Sequence, residues 1–315
     1  QNARNVFRHL KTITKIPVYH LSTSMCPAHR TEKLEVMTNL LHPDKGQPFI
    51  LVSTQLIEAG VDVDFDVVIR SLAGIDSIAQ AAGRCNRHGG NPCKGRVFIV
   101  NSSEENLSKL PDIAIAQGEA RRVLDEFRRD TANVFQGHLL SDPAIESYFR
   151  YYFHARSGFM DYPVDSKSPV GRSDTLVDLL STNRKSIGAY RTRPNNPKLK
   201  HYLTQSFQTA ANSFEVIANA GQGIIVPFRE GRELITELCG AFDPNRQFDV
   251  MRHAQRYSVN CFSHELDTLS KAGALHEVQE GSGILYLDGT HYHCELGVTM
   301  EKSSLMAPLT DNWGG

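Results

Sequence analysis

Gln80, Arg84 and Arg87 stand at i, i+4 and i+7 in the stretch Gln80-Ala81-Ala82-Gly83-Arg84-Cys85-Asn86-Arg87. On a helix, about 100° per residue brings the three side chains within about 60° of one another. Asp76-Ser77 ahead of the stretch, as a capping pair, and Gly89-Gly90 behind it, as a stop, predict that helix. The small residues Ala81, Ala82 and Gly83 let its opposite side sit close against a neighbour. Two guanidinium groups fixed on one spot are an arrangement that binds phosphate. A polar stripe alone is also the ordinary face of a solvated helix, so the elements that would position it decide the reading.

Those elements alternate. Asn2 to Lys11 carries Val6, Phe7 and Leu10 at helical spacing, and Ile16 to Leu21 reads as a strand entered through Pro17. Pro27 suits a first helical position, and Leu34, Met37, Leu40 and Leu41 follow on one side until His42-Pro43 ends the run. Phe49 to Ser53, Asp66 to Ile69 and Arg96 to Val100 supply further strands, with a Ser53-Thr54 turn, one helical turn and Gly60 after the first of them. Strands and helices in alternation, with nearly continuous apolar strands, predict an α/β fold with a parallel sheet covered on both faces. Loops at the ends of such strands are where these folds bind ligands.

The words S-T-x-x-x-E-x-G-x-D, from Ser53 to Asp62, and Q-x-x-G-R-x-x-R, from Gln80 to Arg87, resemble motifs V and VI of superfamily 2 helicases, in the second of their two RecA-like domains. The resemblance implies that Arg84 and Arg87 are arginine fingers for the γ-phosphate of ATP, that Gln80 contacts that phosphate or orients water, and that Gly60 and Asp62 lie on the nucleotide side. Charge on a transferring phosphoryl group is stabilised by positioned cations, which is the physical need these residues would meet. By the same resemblance Ser22, Thr23, Ser53 and Thr54 are contacts to a nucleic-acid backbone. Small hydroxyls at strand ends also serve simply as turn residues.

The resemblance narrows with Val18 to Arg30, Ala59-Gly60-Val61-Asp62, Gly83 to Arg87 and Gln205 to Ile217. Together these are similar to the CRISPR-associated helicase-nuclease of type I systems, and specifically to its C-terminal portion. What this implies is a second RecA-like domain over residues 1–110, a helical linker region over 111–200 and a small α+β C-terminal domain over 201–315. The implied cofactor is ATP with Mg2+, held mainly by a first RecA-like domain. The implied partners are single-stranded DNA, the RNA-guided surveillance complex (Cascade), and the HD nuclease and first RecA-like domains. Two alternatives stay open: the second lobe of another superfamily 2 DNA or RNA helicase, and a non-catalytic binding module derived from one.

Composition agrees with this class without selecting it. With 315 residues and 40% hydrophobic content the chain can bury a sizeable core in two or three domains. A formal charge of -1 excludes a uniformly basic nucleic-acid binder, although a local groove needs only a few phosphate contacts. Cys26, Cys85, Cys93, Cys239, Cys261 and Cys294 show no disulfide framework spacing. No apolar run is long enough for a membrane span and no signal pattern opens the chain, so a cytoplasmic protein is expected. The first residue is Gln1, which is what a fragment would show. No G-x-x-x-x-G-K-[ST] loop, acidic magnesium motif or HD pattern occurs, so the chain alone is expected neither to hydrolyse ATP nor to cut DNA.

Beyond residue 110, Ile113 to Asn133 reads as a charged helix and Tyr148 to Arg156 as an aromatic helix whose rings are core before they are a stacking surface. Tyr162 to Asp174 reads as a loop, Thr175 to Thr182 as a helix, and Arg184 to Lys200 as an exposed basic loop. A helix ending near Asn212, strands at Phe214 to Ala218 and Gly223 to Phe228, and helices near Arg232 to Cys239 and Gln247 to Tyr257 follow. Asp288-Gly289 predicts a tight hairpin between Ile284–Leu287 and Thr290–Cys294. His291 and His293 would share a wet face there, and no metal is expected.

Overall fold

The computed structural model describes residues 2–42, 46–58, 60–89, 95–101, 107–108, 110–131, 133–168, 170–192, 203–214, 221–240 and 244–302. The fold is mixed α/β. Residues Gln1–Ile69, Gln80–Phe98 and Asn219–Gly315 form one compact unit, and Arg70–Ala79 with Ile99–Ala218 form a second. Among the described residues no helix is long and apolar enough to cross a membrane.

In the first unit α1 (Asn2–Ile13) precedes β1 (Val18–Leu21), α2 (Pro27–Leu40) and β2 (Ile50–Ser53). The proline at the start of α2 lacks an amide that would be unpaired there anyway. β1 and β2 run parallel, Val18 opposite Ile50 and Leu21 opposite Ser53. A 3-10 turn, Gln55–Ile57, leads on toward β3 (Val67–Ser71), α3 (Ile75–Ala82) and β4 (Arg96–Val100). β3 and β4 form a separate two-stranded sheet, so these four strands pair two by two. Their residues alternate exposed and half-buried, Ile69 and Phe98 outward, whereas the sequence reads them as covered on both faces.

The second unit holds α4 (Pro111–Arg129) and α5 (Asp142–Ala155). Its core joins Leu72, Ile75 and Ile78 to Ala120, Val123, Ala144 and Tyr148. The aromatic run is therefore core at Tyr148, while Phe153 stays exposed. α6 (Ser157–Met160), β5 (Pro163–Val164), β6 (Asp174–Thr175), α7 (Leu176–Leu180), α8 (Arg184–Arg191) and α9 (Phe207–Ser213) follow. The expected loop from Tyr162 thus contains a short antiparallel pair, β5 with β6. The expected basic loop is helical over 184–191. Asp178 explains why: its carboxylate accepts from the amides of Arg184 and Lys185 at 3.3 and 3.4 Å, and so caps a helix whose own N-cap residue, Asn183, makes no side-chain cap bond.

The chain then returns to the first unit with β7 (Gln222–Ile225), α10 (Gly231–Leu238), α11 (Pro244–Ala254), β8 (Ser258–Cys261), α12 (Ser263–Lys271), β9 (Leu275–Glu277) and β10 (Leu285–Leu287). The sheet order is β8-β7-β10-β9, with the central pair parallel and both outer pairs antiparallel. The strand expected at Phe214 to Ala218 lies, beyond Phe214, outside the described residues. The Asp288 hairpin does not form. Asp288 instead caps a 3-10 turn, accepting from the Thr290 amide at 2.8 Å, and β11 (Tyr292–His293) pairs with β12 (Gly297–Val298). His291 is buried in that turn and bonded to Thr290, so it shares no wet face with His293.

The largest core ties this C-terminal sheet to α2. Cys26 packs in it with Tyr292, Phe228 and Val298. The Tyr292 hydroxyl lies 3.0 Å from His29 Nδ1 and accepts from the Cys26 amide at 3.2 Å, and the His29 ring stacks on Phe228 at 4.3 Å. Burial pushes His29 down to about 3, with Lys33 adding to the effect. In the unfolded chain the same ring titrates near 6.5. The stability it contributes is present above that value and is lost as pH falls from 6.5 through 3, because the unfolded chain then takes up a proton that the folded one refuses. At pH 5 the loss is about 2 kcal/mol for this group, at 1.36 kcal/mol per pH unit. Urea midpoints at pH 7.5 and 5.0 test this; equal midpoints in the wild type, or a His29→Gln variant as acid-sensitive as the parent, would contradict it.

Candidate functional site: two arginines and a polar cleft

α3 ends at Ala82, so Gln80 lies on its last turn and Arg84 and Arg87 lie beyond it. The three do not share one helical face. Gly83 is a poor helix former, and past it the backbone tightens to i→i−3 bonds and pairs with Phe65 in an isolated parallel bridge. Phe65 donates to the Arg84 carbonyl at 2.9 Å, Asn86 donates back to the Phe65 carbonyl at 3.0 Å, and Asn86 itself is left-handed, with φ of 50°. The Cys85 thiol reaches the carbonyls of Asp66 and Arg96 at 3.4 and 3.5 Å. A stitched turn replaces the last helical turn.

The two arginines consequently do different things. Arg84 is half-buried; its Nε donates to the Ile57 carbonyl at 2.9 Å and its Nη2 to the Glu58 carbonyl at 2.8 Å. It therefore grips the end of the 3-10 turn, where helical carbonyls lack partners and a cation is favoured. Arg87 is exposed and its Nε stands 3.4 Å from Asp62 Oδ1, while His88 Nε2 stands 3.5 Å from the same oxygen. Exposed pairs of this kind contribute little, so Arg87 is held loosely. The Arg87 and His88 amides donate to the two oxygens of Asp64 at 2.7 and 3.1 Å, which fixes the backbone beneath the side chain. Gly60, between the two anchor points, is exposed and left-handed, with φ of +73°. Gln80 is exposed.

A cleft of about 770 Å³, open to solvent, is lined by Ser22, Thr23 and Thr54 of the predicted backbone contacts. Ser53 does not line it; its hydroxyl donates to the Thr54 carbonyl at 2.9 Å. Ser22 Oγ, Thr54 Oγ1 and His20 Nε2 are buried and lack a hydrogen-bond partner. His20 Nδ1 sits 3.1 Å from the Val52 carbonyl, which can only accept. Nδ1 therefore carries the proton and Nε2 presents a lone pair. Burial, with Arg4 nearby, pushes His20 down to about 4, so the ring is neutral at pH 7. The sequence does not announce the remaining walls. Arg4 and Arg8 come from α1, His264 and Glu265 from α12, and Glu301 and Lys302 from the stretch after β12. The i, i+4 spacing of Arg4 and Arg8 is the one signal that could have pointed to them. Unpaired hydroxyls beside several cations suit a ligand rich in oxygen acceptors.

Residues 1–90 match the family described as CRISPR-associated nuclease/helicase Cas3, C-terminal. A protein of Haloferax volcanii named CRISPR-associated nuclease/helicase Cas3 is 46% identical over 74 residues, which are 24% of this chain and 8% of that protein. Among solved structures, T. fusca Cas3 has a TM-score of 0.53 at 14% identity, covering 91% of this chain and 34% of that one; its ADP form gives 0.51. A chain of a CRISPR RNA-guided surveillance complex, pre-nicking, gives 0.50 at 15% identity, covering 91% of this chain and 36% of that one. These likenesses concern the fold, and the chain spans about a third of the structures it matches.

Proposed function

We propose that this chain, whose first 90 residues match the family described as CRISPR-associated nuclease/helicase Cas3, C-terminal, is the C-terminal part of an ATP-dependent DNA helicase-nuclease of type I CRISPR interference. In this reading residues 1–110 are a second RecA-like domain, 111–200 a helical linker region and 201–315 the C-terminal domain. Arg87 is the arginine finger toward ATP and Mg2+ held mainly by a first RecA-like domain. Gln80, Gly60 and Asp62 lie on the nucleotide side, with Arg84. Ser22, Thr23 and Thr54 line half of the single-stranded DNA track, and Ser53 shapes the turn that carries Thr54. The surveillance complex is the partner that delivers the DNA.

The observation that supports this most is the pairing of Ser22 Oγ and Thr54 Oγ1, both buried and unpartnered, in one cleft with Arg4, Arg8 and Lys302. A phosphodiester backbone supplies the acceptors such hydroxyls need, and a groove of this kind tracks a strand without reading its sequence. ATP bound between two lobes favours the closed state because a finger reaches the phosphates only there, and hydrolysis removes that preference.

The first test is DNA-stimulated ATPase activity of this chain alone and then joined to the nuclease and first RecA-like domains. Silence alone and DNA-dependent turnover when joined is the expected result; continued silence with tight binding to a partner protein would favour a non-catalytic module. In the joined protein the Ser22→Ala, Thr54→Val double variant is expected to weaken single-stranded DNA binding at least about tenfold, since a hydrogen bond to a charged group contributes about 1.5–3 kcal/mol. Unchanged binding, read by fluorescence anisotropy at fixed salt, would remove both residues from the track.

A further inference from the structure

Arg84 and Thr54 sit at the two ends of one short element. The 3-10 turn Gln55–Ile57 starts from Thr54 as its N-cap and closes on Glu58, whose amide donates to Gln55 at 3.0 Å. Thr54 is anchored to β1 by its amide, which donates to the Leu21 carbonyl at 3.2 Å, one residue before Ser22. Arg84 holds the far end by the carbonyls of Ile57 and Glu58. Three residues at about 2 Å rise make a strut of about 6 Å. Its one end carries a hydroxyl of the cleft and its other end is clamped by an arginine from the stitched turn.

Arg84 is also fixed through its own backbone, since its carbonyl accepts from Phe65. Any displacement of the turn from Gly83 to Arg87 therefore moves the carbonyls of Ile57 and Glu58 with it. Such a displacement is what Arg87 would undergo on leaving the exposed Asp62 carboxylate for a phosphate, and the left-handed Gly60 lies between the two attachment points. Interlocked backbone of this kind passes small shifts on because packed elements do not deform continuously.

We propose that Arg84 is a positioning residue that sets where Thr54 stands against Ser22 in the cleft, joining the nucleotide side of this unit to its nucleic-acid side. This rests on the cleft being the DNA track. It differs from a finger role in one measurable way: a finger has no work to do when no nucleotide is bound, whereas a strut clamp acts at all times. Lysine keeps the charge but reaches only one carbonyl as a point donor, so Arg84→Lys isolates the fork geometry.

The experiment uses the joined full protein without nucleotide. Binding of a fluorescent single-stranded oligonucleotide is measured by anisotropy, and amide hydrogen exchange by mass spectrometry over residues 55–58. For Arg84→Lys the expected result is DNA affinity about fivefold weaker than wild type, with exchange over 55–58 about tenfold faster and unchanged elsewhere, which also shows that the variant is folded. Thr54→Val, made in parallel, is expected to weaken affinity at least about tenfold while leaving exchange slow. An Arg84→Lys protein with wild-type affinity and wild-type exchange overturns the clamp and returns Arg84 to a finger role. A wild-type protein that binds no single-stranded DNA overturns the track reading, and the coupling with it.

Discussion

Arg87→Ala in the full protein lowers the DNA-stimulated ATPase rate about 10³-fold, the scale of an arginine finger. The basis is the asymmetry between the two arginines. Arg84 commits two donors to the carbonyls of Ile57 and Glu58, while Arg87 rests on a single exposed carboxylate, that of Asp62, at 3.4 Å. An exposed pair contributes about 0–1 kcal/mol, so a phosphate competes with Asp62 at little cost. Arg87→Lys should fall nearly as far, because a point charge does not reproduce a planar fork. Turnover measured beside far-ultraviolet circular dichroism separates catalysis from folding. A folded Arg87→Ala protein with normal turnover would take the finger role away from this residue.

Gly297→Ala is the substitution with the largest expected cost to stability. Gly297 opens β12 with φ of +73°, and an added Cβ would sit on the Ser24 carbonyl oxygen and against the Met25 amide nitrogen. The left-handed conformation alone costs about 1–2 kcal/mol for an L residue, and backbone on both sides leaves no flexible end to yield. A loss of at least about 4 kcal/mol is expected, above the usual range for single substitutions. The bond from the Val298 amide to the Ser24 carbonyl, 2.8 Å, would go with it, and so would one wall of the cleft. Gly281→Ala is the control: φ is +77° there but nothing lies within 4 Å, so its cost stays near the conformational 1–2 kcal/mol. Equal urea midpoints for the two variants would show that the Ser24 contact is not the cause.

The elements that stood out in the sequence did so for local reasons. α1, α2 and α4 follow from apolar spacing and from a proline at a first helical position, and β1, β2 and β7 from short apolar runs. α8 was not legible as a helix because its cap, Asp178, lies in the preceding element and acts through a chain reversal at the left-handed Asn183. The hairpin at Asp288 failed for a similar reason: the carboxylate caps a 3-10 turn, a choice made by neighbours and not by the Asp-Gly pair.

Spacing alone brought out Gln80, Arg84 and Arg87 on one expected helical face, whereas Gly60, Asp62, Ser22, Thr23, Ser53 and Thr54 joined them only through the resemblance to superfamily 2 helicase motifs. The tertiary structure decided how the set is divided. The helix stops at Ala82 because Phe65 competes for the backbone of Arg84 and Asn86, and this turns one arginine inward to the Ile57 and Glu58 carbonyls and leaves the other outward on Asp62. It also closed the cleft with α1, α12 and the stretch after β12, the first more than two hundred residues from the other two, and their side chains meet only once the C-terminal sheet packs on Cys26 and His29. Contacts at that separation leave no local periodicity to read.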